Sequence, residues 1–323
     1  MSHASPFSMQ FSAIGGPEVL QPVEHSRPVP GPGEVLIAQQ AIGLNFIDVY
    51  HRSGAYPLPL PGIPGVEGAG VVEAVGEGVE TVAVGRRVAY AGAVGAYATH
   101  RLLPAWRAIP LPDALAFEDA GSNLLRGLTA HMLLSHVHPL RPGMRALVHA
   151  AAGGLGSILV RLAKRLGAEV IATVGHADKA AMARAHGADH VIIGRDIDLA
   201  AEVAALTAGE GVHLAIDGIG GSTLARTIAC VRPFGMTASI GQVAGVAPPV
   251  PLAALRSNAL SRPSVMAFSA NREAYGPAVE AVLALMQQGL FDRPQQVYAL
   301  ADAASAHADL EAGRIVGSAW LRP

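Results

Sequence analysis

HAAAGGLGSILVRLAKRLGAEVIATVG, His149 to Gly175, is the stretch that decides the fold. A loop of small residues runs into an apolar-periodic helix and then into a β-branched run. A tight turn between a strand and a helix needs residues with little side chain. The backbone can then approach a pyrophosphate, and the helix N-terminus presents its unpaired N–H groups and positive dipole end. Gly153 and Gly156 stand where the second and third glycines of GxGxxG fall, with Ala151 in the first place. Such a loop is a weak signal alone; RALVHA as a strand before it and GSILVRLAKRLG as a helix after it make it a dinucleotide site.

The alternation continues on both sides. EVIATVG, DHVII, VHLAIDGIG and GMTASIG read as further strands, with DKAAMARAHG as a helix between the first two. That spacing argues for a parallel sheet with helices on both faces. The first third has another texture, with short runs such as EVLIAQQAIG, GAGVVEAVG and RRVAYAG separated by Gly/Pro turns, and it reads as a small β-rich domain. A helical pattern follows over 118–138, another over 278–289, and a last apolar run over 315–321.

Composition narrows the function. A net charge of −2 and the lack of a basic patch argue against nucleic acid as a partner. The long charge-free run between Arg232 and Arg256 is broken by glycines and prolines, so membrane insertion is not expected. Cys230 is the single cysteine, which rules out a disulfide within the chain and a cysteine zinc cluster. The start, MSHASPFSMQF, has neither the basic region nor the apolar core of a signal peptide, and the expected compartment is the cytoplasm.

Cofactor choice is read at the end of the second strand. An NAD site places an acid here to bind the ribose hydroxyls, whereas this chain has Thr173, Val174, Gly175 and His176, then Lys179. Loss of the acid and gain of a cation suit the extra phosphate of NADPH. Arg195, after the next strand, is a second candidate clamp, since guanidinium matches phosphate geometry. Of 23 basic residues only Lys164 and Lys179 are lysines, which makes the position of Lys179 more telling.

Four segments taken in order, GLNFIDVYHRSGAYPLPLPGIPGVEGAGVVEAVG (43–76), LLRGLTAHMLL (124–134), HAAAGGLG (149–156) and AIDGIGG (215–221), resemble the zeta-crystallin-type quinone oxidoreductases, zinc-free members of the medium-chain dehydrogenase/reductase superfamily. The resemblance runs over roughly residues 9 to 323. It implies an α/β protein in which a Rossmann doubly wound parallel-sheet domain is inserted into a GroES-like β-rich catalytic domain, with the active site in the interdomain cleft. The expected boundaries are 1–126 for the first part of the catalytic domain, 127–262 for the NADP-binding domain, and 263–323 for the return. Zinc-containing relatives carry Cys at the place of Asn45 and His at that of Val66, and Glu67 alone cannot build a metal site. His131, His136 and His138 lack the i, i+4 spacing of a helical metal site, so no metal is expected.

The resemblance also implies the site residues. Asn45 and Tyr50 lie beside the nicotinamide and the substrate as neutral hydrogen-bond donors. Tyr56 is a further catalytic candidate at the pocket mouth, although packing is the more ordinary role for it. Thr129 approaches the nicotinamide amide; Ala152, Gly153, Gly154, Leu155 and Gly156 wrap the pyrophosphate. Ile240, Gly241 and Gln242 line the cofactor, as do Met266, Ala267 and Phe268. Asp48 reads as a local cap rather than a base. Gly194 and Arg126 depart from the family, which often has an aromatic ring or His at the first and Lys at the second.

The expected activity is NADPH-dependent reduction of a quinone, whose developing anion is aromatic and asks little of a proton donor. A reductase of α,β-unsaturated ketones or aldehydes is the alternative; there the enolate makes a donor such as Tyr50 matter more. A noncatalytic NADPH-binding protein is a third reading, from another class. A homodimer is expected through an edge strand of the nucleotide-binding domain, with GMTASIG and SVMAFSA as candidate strands that fit a central place in the sheet equally well.

Overall fold

The structure is a computed structural model and describes residues 5–323; residues 1–4, where the stretch read for a signal peptide begins, lie outside the described residues. The chain divides into two compact units. One takes in the described residues up to Leu128 together with Val265–Pro323, and the other is Thr129–Ser264.

The first unit begins with β1 (Phe7–Gln10), β2 (Gln21–Glu24), β3 (Glu34–Gly43) and helix α1 (Phe46–Arg52). It continues with β4 (Glu67–Val75), β5 (Arg87–Ala91), β6 (His100–Pro104), β7 (Ile109–Pro110) and helix α2 (Phe117–Met132), whose last residues, from Thr129, and the π-helical turn over Leu133–Val137 belong to the second unit. The second unit holds β8 (Arg145–Val148), α3 (Gly154–Arg165), β9 (Glu169–Val174), α4 (Ala180–Ala185) and β10 (His190–Ile193). After these come α5 (Leu199–Leu206), β11 (Val212–Asp217), α6 (Thr223–Ala229), β12 (Val231–Ser239) and β13 (Ala259–Ser261). The chain then returns to the first unit with α7 (Val265–Ala270), α8 (Arg272–Gln287), β14 (Gln296–Ala299), α9 (Ala303–Glu311) and β15 (Ala319–Arg322).

In the first unit seven strands share a sheet in the order β14-β15-β3-β4-β5-β7, with β6 on β3. The apolar run EVLIAQQAIG is the whole of β3, and its length lets it pair with β4, β6 and β15. Pairing of Leu321 with Ile42 and Trp320 with Gly43 ties the end of the chain into the sheet begun by its first part. No local pattern announces that closure, since it joins residues far apart in sequence. Met9, Ile37, Ile42, Leu44, Tyr97, Leu300 and Leu321 pack into one core, and Val66, Leu124, Leu128, Tyr275 and Val282 belong to a second.

The second unit is a six-stranded parallel sheet ordered β10-β9-β8-β11-β12-β13. Helix α3 turns Ile158, Leu159, Leu162 and Ala163 to the interior and ends ahead of Gly167, whose φ of +81° only glycine adopts without strain. Strand order reverses between β8 and β11, which opens a crevice at their C-terminal ends. One sequence expectation fails here. SVMAFSA is helix α7 over Val265–Ala270: a short run of consecutive apolar residues fits either element, and packing of Met266 and Phe268 on the second core decides for helix. GMTASIG lies in β12, flanked by β11 and β13, so it is interior, and the edge strands are β10 and β13.

Candidate active site and cofactor-binding residues

The expected site residues fall into two groups, one in each unit. Asn45, Tyr50, Tyr56, Met266, Ala267 and Phe268 belong to the first; Thr129, Ala152–Gly156, Gly175, Lys179, Arg195 and Ile240–Gln242 belong to the second.

Asn45 follows β3 and starts α1 from an extended conformation. Its backbone N–H donates to Asp48 Oδ2 at 2.8 Å, so Asp48 closes the helix start on itself. The Asn45 side chain donates from Nδ2 to Glu67 Oε1 at 2.7 Å, and Glu67 Oε2 accepts from the Leu125 N–H at 2.6 Å. Glu67 is fully buried. A methyl group at Gly43 would lie 2.2 Å from Oε1, so β3 needs glycine there to admit the carboxylate. Burial pushes the Glu67 carboxyl above its usual range, and the charge of Arg126 and the Asn45 bond pull it back. Arg126 is held by the carbonyls of Ser122 and Leu44, both at 2.7 Å, which anchors the residue just before Asn45.

Tyr50 and Tyr56 come together: their ring centroids are 5.1 Å apart, and the Tyr56 N–H donates to the Tyr50 carbonyl at 2.9 Å. Phe46 joins at 6.4 Å from Tyr50, so one face of α1 carries an aromatic group. Met266 and Phe268 pack on the second core from α7, as Ile47 does from α1.

In the second unit Thr129 lies on the last turn of α2, and the other expected residues follow the C-terminal ends of the strands. The loop after β8 turns at Ala150, whose φ of +49° is unusual for a non-glycine. The chain then doubles back so closely that a methyl at Gly156 would sit 2.2 Å from the Ala150 carbonyl oxygen. Gly153 precedes α3 in an extended conformation and offers no side chain to cap it, and no acid occupies the first turn. The helix N–H groups thus face the loop unscreened by protein carboxylates, which suits a diphosphate. Asp217 at the end of β11 accepts from the N–H groups of Ile219 and Gly220, and Ile240 N–H donates to the Asp217 carbonyl at 2.8 Å. A methyl at Gly241 would meet the Gly218 carbonyl oxygen at 2.5 Å, so the loops after β11 and β12 touch through their backbones.

Lys179 closes an exposed turn after β9. Arg195 follows β10, and a methyl on Gly175 would lie 3.1 Å from Arg195 Nε, so the guanidinium rests over that glycine. Arg226 donates to the Arg195 and Ile197 carbonyls and steadies the loop. The departure at Gly194 has a backbone reason, a φ of +116° that a ringed side chain would strain. Beneath the phosphate loop lies a group that motif reading passed over. His149 reaches the hydroxyls of Thr173 at 2.9 Å and Thr227 at 2.8 Å, linking β8, β9 and α6. Its only signal in sequence is its place at the head of the loop.

Residues 31–113 match the alcohol dehydrogenase GroES-like domain, and residues 154–284 match the zinc-binding dehydrogenase family. A GroES-like part and a Rossmann part on one chain define a medium-chain dehydrogenase/reductase. The chain is 40% identical to a quinone oxidoreductase of Pseudomonas aeruginosa over 98% of its own length and 99% of the relative's. It is 38% identical to a 2-haloacrylate reductase of Burkholderia over 96% of each. The crystal structure of Escherichia coli quinone oxidoreductase complexed with NADPH superposes with a TM-score of 0.94 at 39% identity, covering 98% of this chain and all of that one. The chain belongs to the quinone oxidoreductase family of this superfamily. Among the described residues no three His, Cys, Asp or Glu side chains are grouped to hold a metal ion, and no helix is long and apolar enough to cross a membrane.

Proposed function

We propose that this chain is an NADPH-dependent, zinc-independent quinone reductase. The carrying observation is the Asn45–Glu67 hydrogen bond: where zinc-containing relatives place a thiolate ligand, this chain holds a neutral amide on a buried carboxylate. Bound NADPH supplies the hydride. Ala152–Gly156 hold its diphosphate through backbone N–H groups, Thr129 and Ile240–Gln242 its nicotinamide end, and Gly175 admits its ribose. Lys179 and Arg195 bind the extra phosphate. Met266, Ala267 and Phe268 complete the lining.

Asn45 spends one amide hydrogen on Glu67 and offers the other to the acceptor oxygen. Tyr50 supplies the second donor, and Tyr56 orients it by packing on its ring. Together they stabilise negative charge as it develops on a quinone oxygen. The Burkholderia relative's activity on a haloacrylate supports a second reading, reduction of an activated alkene by the same residues.

The assembly we propose is a homodimer. It is supported by the outer edge of β13, which no strand among the described residues covers, and by the 89% exposed Phe234, whose N–H donates to the Ser257 carbonyl just before that strand. We place it in the cytoplasm because Cys230 is its single cysteine, so the chain makes no disulfide of its own. The test follows loss of reduced-nicotinamide absorbance with NADPH or NADH against a simple quinone and a cyclic enone. Fast quinone turnover with NADPH is expected. Turnover of the enone alone would transfer the chain to the alkene reductases, and tight NADPH binding without turnover would leave a noncatalytic protein.

A further inference from the structure

A second buried polar chain runs through the first unit and ends on the other side of Asn45. It begins at the surface, where Glu311 of α9 takes a two-pronged contact from Arg52 Nη2 at 2.8 and 2.9 Å. Arg52 is almost fully buried, and its Nη1 lies 3.4 Å from Nδ1 of the buried His307. Arginine has only donors, so His307 Nδ1 must accept and Nε2 carries the ring proton. Nε2 therefore donates to the Tyr97 hydroxyl at 3.0 Å, and Tyr97 donates in turn to Asp48 Oδ2 at 3.1 Å. The same oxygen receives the Asn45 N–H. From Arg52 Nη1 the donors run inward in relay through His307 to Tyr97, and the Tyr97 hydroxyl and the Asn45 N–H meet on one oxygen of a fully buried carboxyl. The other oxygen, Oδ1, is buried without a partner.

We propose that Asp48 is a positioning residue: its ionisation, set by the donor chain from Arg52 through His307 and Tyr97, governs how firmly the backbone holds Asn45 and hence the rate of hydride transfer. This rests on the reductase reading above. An ionised Asp48 makes the Asn45 bond charge-assisted and roughly twice as strong as a neutral one. Burial pushes the Asp48 carboxyl up to about 7, against the pull of the Asn45 and Tyr97 bonds, so it changes charge near neutrality. The charged and titratable groups facing it are Glu67 from β4, which raises it, Arg126 from α2, which lowers it, and Tyr97 with His307 behind. His51 and Arg52 follow on its own helix.

The experiment follows the Asn45 backbone amide by NMR and, separately, kcat and KM with NADPH and a quinone, both from pH 5.5 to 8.5. The Asn45 amide shift and kcat should share one inflection near neutrality, with kcat falling toward acid and KM for NADPH unchanged. D48N should abolish both inflections and hold kcat near the acid value. Y97F keeps the ring and removes one donor, and it should move the inflection upward by about one pH unit. An Asn45 amide that titrates identically in wild type and D48N overturns the assignment. A titrating amide with a flat kcat overturns the positioning role. A wild type that reduces no acceptor refutes the reductase reading, while the amide titration still decides whether Asp48 governs Asn45.

Discussion

The Asn45 side-chain nitrogen stands 2.7 Å from Glu67 Oε1, and Glu67 Oε2 stands 2.6 Å from the Leu125 backbone nitrogen. One buried carboxylate thereby joins the residue that starts α1 to the middle of α2. It also fixes which way the Asn45 amide faces.

Glu67→Gln tests that orientation. A glutamine can donate as well as accept, so it no longer dictates the amide's direction. We expect kcat/KM to fall about tenfold, or ~1.4 kcal/mol, with the fold retained. Glu67→Ala should also lower stability by about 3 kcal/mol, because Asn45 and Leu125 lose a buried acceptor. Steady-state kinetics and urea unfolding measure the two effects.

Lys179→Ala should raise the NADPH dissociation constant about tenfold and leave NADH unchanged, as expected for a contact to phosphate alone. Arg195→Ala should do the same. Fluorescence titration with both cofactors decides it, and equal losses for the two would refute the phosphate clamp.

Gly156→Ala forces a methyl to within 2.2 Å of the Ala150 carbonyl oxygen, so the phosphate loop must shift. NADPH binding should weaken by more than about tenfold and the melting temperature should fall. Isothermal calorimetry and thermal unfolding report on the same protein.

Tyr50→Phe separates the two acceptor classes. Enone turnover should fall about 10²-fold, since an enolate needs the proton donor, whereas quinone turnover should fall much less, because Asn45 still stabilises the charge on its oxygen. Parallel assays with one preparation give the ratio, and similar losses for both acceptors would remove the distinction.

Acid stability should depend on His307. Burial, with Arg52 nearby, lowers it from 6.5 to about 3, so the folded protein keeps it neutral while the unfolded chain protonates below 6.5. The unfolded state binds more protons across that window, and stability therefore falls as the pH drops from 6.5 toward 3. At pH 5 the loss should be about 2 kcal/mol, and His307→Asn should lack it. Asp48 acts with the opposite sign, since its raised carboxyl loses stability as pH climbs from about 4 to about 7. Urea unfolding of wild type and variant at pH 5 and 7.5 separates the contributions.

Much of the architecture was legible in local pattern. EVLIAQQAIG is the whole of β3, and the loop at 150–156 does turn between β8 and α3. Asp48 could be read as a cap because a capping partner lies within one helical turn. SVMAFSA was misread because a short apolar run fits either element, and packing of its Met266 and Phe268 on the second core decides for helix.

The partners of Asn45 were a different matter. Glu67 is 22 residues away, and Tyr97, which donates to Asp48, and His307 behind it come from segments 49 and 259 residues from Asp48. By itself the amino-acid sequence determined the alternation of strands and helices, the small-residue loop and the replacement of thiol by amide at position 45, all of which depend on neighbours along the chain. Only the tertiary structure decided that β15 closes the sheet on β3, that β13 is an edge strand, and that two buried carboxyls meet Asn45, one at its backbone and one at its side chain. The reason is physical: hydrogen bonds and desolvation act through space, and a carboxyl's charge state is set by what folding packs around it.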